Sequence, residues 1–323
     1  MSRFSRILVT GGAGFIGSHL CERLLAEGRR VHVLDNFNDF YDPAVKRRNI
    51  QPLASYDSFS LQEGDIRDPE AVGRAFREFQ PEAVVHLAAM AGVRPSIAKP
   101  VLYCDVNIAG TAVLLEAARD NQTGHFVFGS SSSVYGAGEK LPFAEEDDLS
   151  RPISPYAATK LAGEQMCYTY HYLNGFPVSC LRFFTVYGPR QRPEMAIHMF
   201  ARRIRENRPI TLFGDGTSRR DYTFISDIID GVVRSLDSPM GYEIFNLGES
   251  RTVPLRELIG LLEQNLGRKA IIQNFPDQPG DVPVTYADVS KARRLIGYEP
   301  KVPIEEGIRR FATWLGGEKG AGE

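Results

Sequence analysis

Ile7-Leu-Val-Thr-Gly-Gly-Ala-Gly-Phe-Ile-Gly17 holds a strand, a glycine turn and the start of a helix in one piece. Gly11, Gly14 and Gly17 are spaced GxxGxxG, not the GxGxxG of the simplest dinucleotide fingerprint. The physical demands are shared: a tight turn, a backbone that can approach a pyrophosphate, and helix amides aimed at the anion. A glycine run by itself can be an ordinary strand-to-helix turn. Here an apolar strand precedes it, an amphipathic run (His19, Leu20, Leu24, Leu25) follows, and a second strand, Val31–Asp35, ends in an acid. Asp35 lies 18 residues beyond Gly17, near where a carboxylate grips the adenosine ribose hydroxyls. A carboxylate accepts from a 2′-hydroxyl and repels a 2′-phosphate, so NAD is expected over NADP. Lys46, Arg47 and Arg48 follow later and read as a solvated basic face.

Working outward, strand and helix signals alternate through the first half. Apolar runs at Ile7–Thr10, Val31–Asp35, Phe59–Leu61, Ala83–Ala89 and Phe126–Phe128 read as buried parallel strands. Helices are expected over Glu70–Phe79 and from about Asn107 to Ala118. That alternation predicts an α/β chain with a Rossmann-type, doubly wound parallel sheet, which Val178–Phe184 and Tyr242–Leu247 extend. The second half is richer in Pro, Arg and short segments and predicts a smaller C-terminal substrate-binding lobe over the carboxyl edge of the strands. The expected division is residues 1–182 for the dinucleotide and 183–323 for the substrate, with some later strands returning to the sheet.

The 323 residues suffice for a substantial core, and a formal net charge of -2 offers no electrostatic invitation to nucleic acid or anionic membrane. No apolar run is long enough to suggest a membrane span, and Met1–Arg6 lacks a signal peptide's apolar stretch. Cys21, Cys104, Cys167 and Cys180 show neither CxxC pairing nor zinc spacing, so reduced thiols, no metal site and a cytoplasmic location are expected.

The chemistry starts at Tyr156-Ala-Ala-Thr-Lys160. Residues four apart share a helix face, so phenol and ammonium point into the same space. A tyrosine is a poor base with its ordinary pKa near ~10, and a nearby ammonium together with an oxidised nicotinamide favours the phenolate. The spacing is common by chance. It gains weight from Ser130–Ser133 at the end of the Phe126–Phe128 strand, since Ser131 stands 25 residues before Tyr156 and strand-end hydroxyls can bind a substrate oxygen.

GGAGFIG, Asp65-Ile66, His86-Leu-Ala-Ala89, SSSSVYG, YAATK and LRFFTVYGP together resemble the extended short-chain dehydrogenase/reductase superfamily, in its nucleotide-sugar epimerase/dehydratase branch, from Ile7 to about Trp314. The resemblance implies that Asp65 and Ile66 flank the adenine, that Leu87, Ala88 and Ala89 line the cofactor cleft with Phe15, Ile16 and Asn36, and that Asn107 touches the cofactor. It further implies that Lys160 holds the nicotinamide ribose and that Phe184 packs near the ring. Tyr156, Lys160, Ser131 and Ser132 are then the catalytic set, with NAD bound tightly and regenerated each cycle. A homodimer paired through helices near Val101–Ala118 and Ser154–Leu173 is also implied.

Dehydratases of this branch carry Asp-Glu at the positions of Ser132 and Ser133, and UDP-glucuronate decarboxylases a glutamate at the position of Ser133. A hydroxyl is far too weak an acid for that task, which leaves reversible oxidation at C4 of a UDP-sugar, that is, 4-epimerisation. Leu34–Pro43, Ala91–Ser96 and Thr185–Pro193 resemble the UDP-glucuronate 4-epimerases. By that resemblance Thr185 and Arg192 hold the sugar carboxylate, Arg94 lies near the hexuronate, and Phe213, Arg220 and Asp281 take the nucleotide. Where galactose-type enzymes carry an arginine three residues before that aspartate, this chain has Gln278, so Arg220 is the expected diphosphate cation. The competing readings are a UDP-glucose/galactose or N-acetylated-sugar 4-epimerase, a decarboxylase, and a non-catalytic NAD sensor.

Overall fold

The computed structural model describes residues 3–138, 140–276 and 282–317. Seven parallel strands form the main sheet: β1 (Arg6–Thr10), β2 (Arg30–Asp35), β3 (Phe59–Glu63), β4 (Ala83–His86), β5 (His125–Ser131), β6 (Val178–Phe183) and β10 (Tyr242–Leu247). Their order is β10-β6-β5-β4-β1-β2-β3, with the direction of winding reversing between β1 and β4. Alternate side chains feed two cores. Ile7, Val9, Ala83, Val85, Val127 and Leu181 pack on one face, while Leu8, Val84, Phe126, Phe128 and Cys180 pack on the other. Doubly buried strands of this kind read as unbroken apolar runs, as the sequence does.

Three helices begin at a side-chain cap followed by proline. Asp42, Asp68 and Ser154 each accept a backbone N–H of the turn that follows, at 2.9, 2.9 and 3.1 Å. Each is followed by a proline at the first helical position, opening Pro43–Ile50, Pro69–Phe79 and Pro155–Asn174.

Three expectations are corrected. The strand expected over Ala83–Ala89 stops at His86, because residues 87–90 leave the ladder to roof the glycine turn: Leu87 N–H donates to Thr10 O at 3.1 Å, and the Asn107 amide clasps both backbone groups of Met90. An apolar strand and an apolar cleft wall read alike. The helix expected from Asn107 begins at Pro100 and continues to Asp120, with a π-turn at Asp105–Ala109. By length and apolarity this helix could cross a membrane; here Leu114, Leu115 and Ala118 are buried in the second core. The strand expected over Val178–Phe184 ends at Phe183.

Beyond Phe183 the chain builds two small sheets, β11-β9-β7 and β12-β8, from β7 (Thr185–Tyr187), β8 (Ile210–Phe213), β9 (Arg219–Phe224), β11 (Thr252–Pro254) and β12 (Ile272–Phe275). β10 nonetheless returns to the main sheet and pairs with β6 from Tyr242↔Val178 to Leu247↔Phe183. A buried polar network bolts this return in place. Arg182 and Glu164, each 1% exposed, form a two-pronged pair at 3.0 and 2.8 Å. Ser130 donates to Glu164 at 2.5 Å, and Arg182 donates to Tyr135 Oη at 2.9 Å. Tyr135 in turn donates to the Asn246 carbonyl oxygen at 2.6 Å, and Asn246 N–H donates to Glu145 at 2.8 Å.

Candidate active site

The carboxyl ends of β1, β2, β4 and β5 open into a cleft of about 390 Å³ at the reversal of winding, where open α/β sheets bind ligands. Gly11 sits at φ +70°, and a Cβ there would stand 2.7 Å from Ala88 N. A Cβ on Gly17 would collide with the carbonyl oxygen of Gly11. Gly14 caps the helix Phe15–Ala26, whose amino end faces the cleft. A turn this close to its neighbours leaves room for a pyrophosphate and none for side chains.

Asp35, 6% exposed at the end of β2, accepts from Ala13 N–H at 3.0 Å and Phe37 N–H at 2.9 Å while lining the cleft. Burial raises its pKa against those two bonds and the charge of Lys46. At the far end, Asn36 donates to Asp65 at 2.9 Å, and Arg67 bridges Asp65 at 2.8 Å and Asp105 at 2.6 Å. Hydrogen bonding from Arg67 holds the Asp65 carboxyl down at about 2. These groups fit an NAD: a phosphate cradle, a carboxylate for the ribose, and an adenine end lined by Asp65 and Ile66.

Lys46 is a correction and a residue the sequence reading missed. It is buried, not solvated; its Nζ donates to Asn38 O at 2.7 Å and lies 4.9 Å from the Tyr41 ring centroid, on the cleft wall. Burial lowers its pKa while the Asp35 carboxylate opposes that. The basic run gave no hint, since three consecutive cations on one helix look the same whichever one faces inward. Arg47 does face outward, pairing with Glu63 at 3.1 Å.

At the nicotinamide end the cleft is lined by Leu87, Ala88, Ala89, Ser131, Ser132, Tyr156, Lys160 and Phe184. Asn107 is placed one layer back: its amide bonds Met90 N and O at 2.8 and 2.9 Å and Thr159 Oγ1 at 3.0 Å, fixing the loop that lines the cleft to the helix of Tyr156. Ser131 Oγ accepts from Ser133 Oγ at 3.0 Å and from Ser133 N–H at 3.2 Å, and Ser131 lines the same wall as Tyr156. Lys160 Nζ donates to Gly129 O at 2.7 Å and lies over the Phe128 ring at 4.9 Å. Burial brings the lysine down to about 8. Burial raises the Tyr156 phenol, with Ser131 and the charge of Arg192 acting the other way.

Thr185, at the start of β7, and Arg192 line the same cleft as Tyr156. Arg192 pairs with Glu194 at 3.2 Å and lies 5.7 Å from the Phe40 ring centroid. Arg94 and Phe213 pack together, guanidinium to ring centroid 4.7 Å, and Arg220 donates to Arg219 O at 2.9 Å; all three stand off the main cavity lining. Asp281 and Gln278 lie outside the described residues.

Residues 7–248 match the family model described as NAD dependent epimerase/dehydratase family. A protein named UDP-glucuronate 4-epimerase from Thermodesulfobacterium geofontis is 45% identical over 308 residues, 95% of each chain. The crystal structure of UDP-glucuronic acid 4-epimerase from Bacillus cereus, in complex with UDP-glucuronic acid and NAD, superposes with a TM-score of 0.91 at 39% identity, covering 97% of this chain and 99% of that one. The UDP-glucose 4-epimerase of Thermus thermophilus, in complex with NAD, gives 0.88 at 37% identity over the same shares.

Proposed function

The chain belongs to the NAD dependent epimerase/dehydratase family, and from that premise we propose that it interconverts UDP-glucuronate and UDP-galacturonate by inverting C4. The observation that carries the uronate reading is one shared wall: Thr185 and Arg192 face the same cleft as Tyr156 and the glycine turn. A guanidinium can hold a carboxylate through two parallel bonds, a match no neutral hydroxymethyl group supplies.

Bound NAD supplies the acceptor for the C4 hydride and its return. The protein manages the proton and the geometry. Tyr156 takes the C4 hydroxyl proton and later restores it, while Ser131, on the same cleft wall, steadies the same oxygen. Gly129 O fixes the Lys160 ammonium beneath the cleft, where the nicotinamide ribose would lie. The nucleotide stays anchored while the 4-keto sugar turns over between oxidation and reduction.

Oxidising C4 of a glucuronate makes a β-keto acid, which loses carbon dioxide when its carboxylate stands perpendicular to the carbonyl plane. Arg192 and Thr185 restrain that rotation. Ser132 and Ser133 provide no carboxyl acid for dehydration or decarboxylation. Proton NMR of the product from purified protein and UDP-glucuronate tests the reading. UDP-galacturonate at an equilibrium reached from both sides is expected. A UDP-pentose, or turnover of UDP-glucose alone, overturns it.

We also propose a homodimer built on the helices Pro100–Asp120 and Pro155–Asn174. Val101 is 79%, Tyr172 74% and Leu173 71% exposed, with Tyr168 beside them, an apolar stripe on the outer face of two helices that pack together. The same reading assigns the segment beyond residue 183 to the sugar nucleotide.

A further inference from the structure

Glu194 is a charged group on the loop of Arg192 that the reaction above does not use. It stands two residues from Arg192, and its carboxylate meets the guanidinium at Nε, at 3.2 Å. The rest of the loop is held by other means. His19 Nε2 meets Pro189 O at 2.9 Å, and Arg190 pairs with Glu22 at 2.9 Å. The Gln191 amide donates to Val186 O at 3.1 Å and accepts from His198 N–H at 3.1 Å, and Met195 N–H donates to Arg192 O at 3.1 Å. The backbone that presents Arg192 is therefore set without Glu194. What Glu194 adds is charge at one position.

The guanidinium it touches faces the reacting end of the cleft. Its charge acts on Tyr156, Tyr103 and Tyr41, and it lies against Phe40. A carboxylate beside that cation offsets part of the charge that a substrate carboxylate needs. Resting on the uronate reading, we infer that Glu194 competes with the substrate for the Arg192 guanidinium, giving way to the C6 carboxylate and staying paired when the sugar has a neutral C6 group. Side chains 21% and 41% exposed make this a weak pair, so it is easily exchanged for a better-oriented anion. A hydroxymethyl group cannot replace the charge, so a neutral sugar meets an arginine already neutralised by its neighbour. The effect is to temper affinity: the anion binds only as Glu194 gives way, while a neutral sugar leaves the pair intact.

Glu194→Gln keeps the shape and removes the charge. Dissociation constants for UDP-glucuronate, UDP-galacturonate and UDP-glucose, measured by calorimetry in the NAD-loaded Tyr156→Phe background, test the inference. Both uronates are expected to bind roughly two- to five-fold more tightly in the double variant, the range an exposed ion pair supplies, with UDP-glucose unchanged. The diphosphate is common to all three, so a general change in the field of the cleft would move them together. Equal changes for all three ligands, no change for the uronates, or weaker uronate binding each overturn the role of Glu194. Failure of the proposed function is read separately, from wild-type protein that does not convert UDP-glucuronate.

Discussion

Tyr156 is held in a state that needs help. Burial raises the phenol, and Ser131 and Arg192 only partly offset this, so proton removal depends on charges that assemble with cofactor and substrate. Tyr156→Phe is expected to cut turnover by roughly 10²–10⁴-fold, with NAD content and UDP affinity unchanged; a variant retaining a tenth of the rate would remove the phenol from the mechanism. Arg192→Ala tests a different duty. Losing a charged hydrogen-bonding partner costs about 1.5–3 kcal/mol, so KM for UDP-glucuronate is expected to rise by at least ten-fold while that for UDP-glucose does not. The freed carboxylate should also leak a UDP-pentose, detectable by mass spectrometry. At this scale the sequence was legible wherever one backbone geometry demands one residue type, as at Gly11 and Gly17. It was silent on where a long side chain turns: Lys160 points to Gly129 O, and Lys46 folds inward beneath Tyr41.

Among elements, the turn between β1 and the helix Phe15–Ala26 is the most tightly constrained. Gly17→Ala would press a methyl group against the Gly11 carbonyl, and the helix must shift to relieve it. An overpacking cost of about 1–3 kcal/mol is expected, together with purified protein that has lost most of its NAD; full absorbance from bound cofactor would contradict this. Strand and helix order could be read from periodicity, because doubly buried strands and capped helices leave distinct patterns, Asp68-Pro69 before Pro69–Phe79 being one. Element ends were less readable. Residues 87–90 are as apolar as the strand before them, and their N–H bonds to Thr10 and Asn107 reveal that they belong to the cleft.

The whole molecule stores unfavourable charge near its C-terminal half. Asp221, fully buried, accepts from the N–H groups of Glu249, Ser250 and Ala287 and is raised to about 6. Burial, with Asp227 and Asp221 nearby, raises Glu249 to about 8. A carboxyl whose folded pKa is raised keeps its proton in the native state after the unfolded chain has released one. Its contribution is therefore complete below about 4.5 and is lost as pH climbs to about 8. Glu249→Gln imitates the protonated form, so its melting temperature should match wild type near pH 4.5 and exceed it increasingly up to pH 8; an offset constant with pH would refute the assignment. For the proposed dimer, wild type is expected at the mass of two chains by light scattering and Leu173→Glu with Tyr172→Glu at one; a monomeric wild type or an unaltered dimer would overturn the proposed contact. Finally, the Arg182–Glu164 network joins β5, β6 and the returning β10 through Tyr135 and Asn246. Truncation after Phe183 would strip β6 of its outer neighbour and leave Tyr135 without an acceptor inside the protein. Such a polypeptide is expected to precipitate or lose its NAD, and a soluble, NAD-loaded fragment would contradict this. Recombination at the midpoint would sever the hydrogen bonds between Arg182, Tyr135 and Asn246, so exchange of side chains within loops is the less disruptive route to a changed sugar preference.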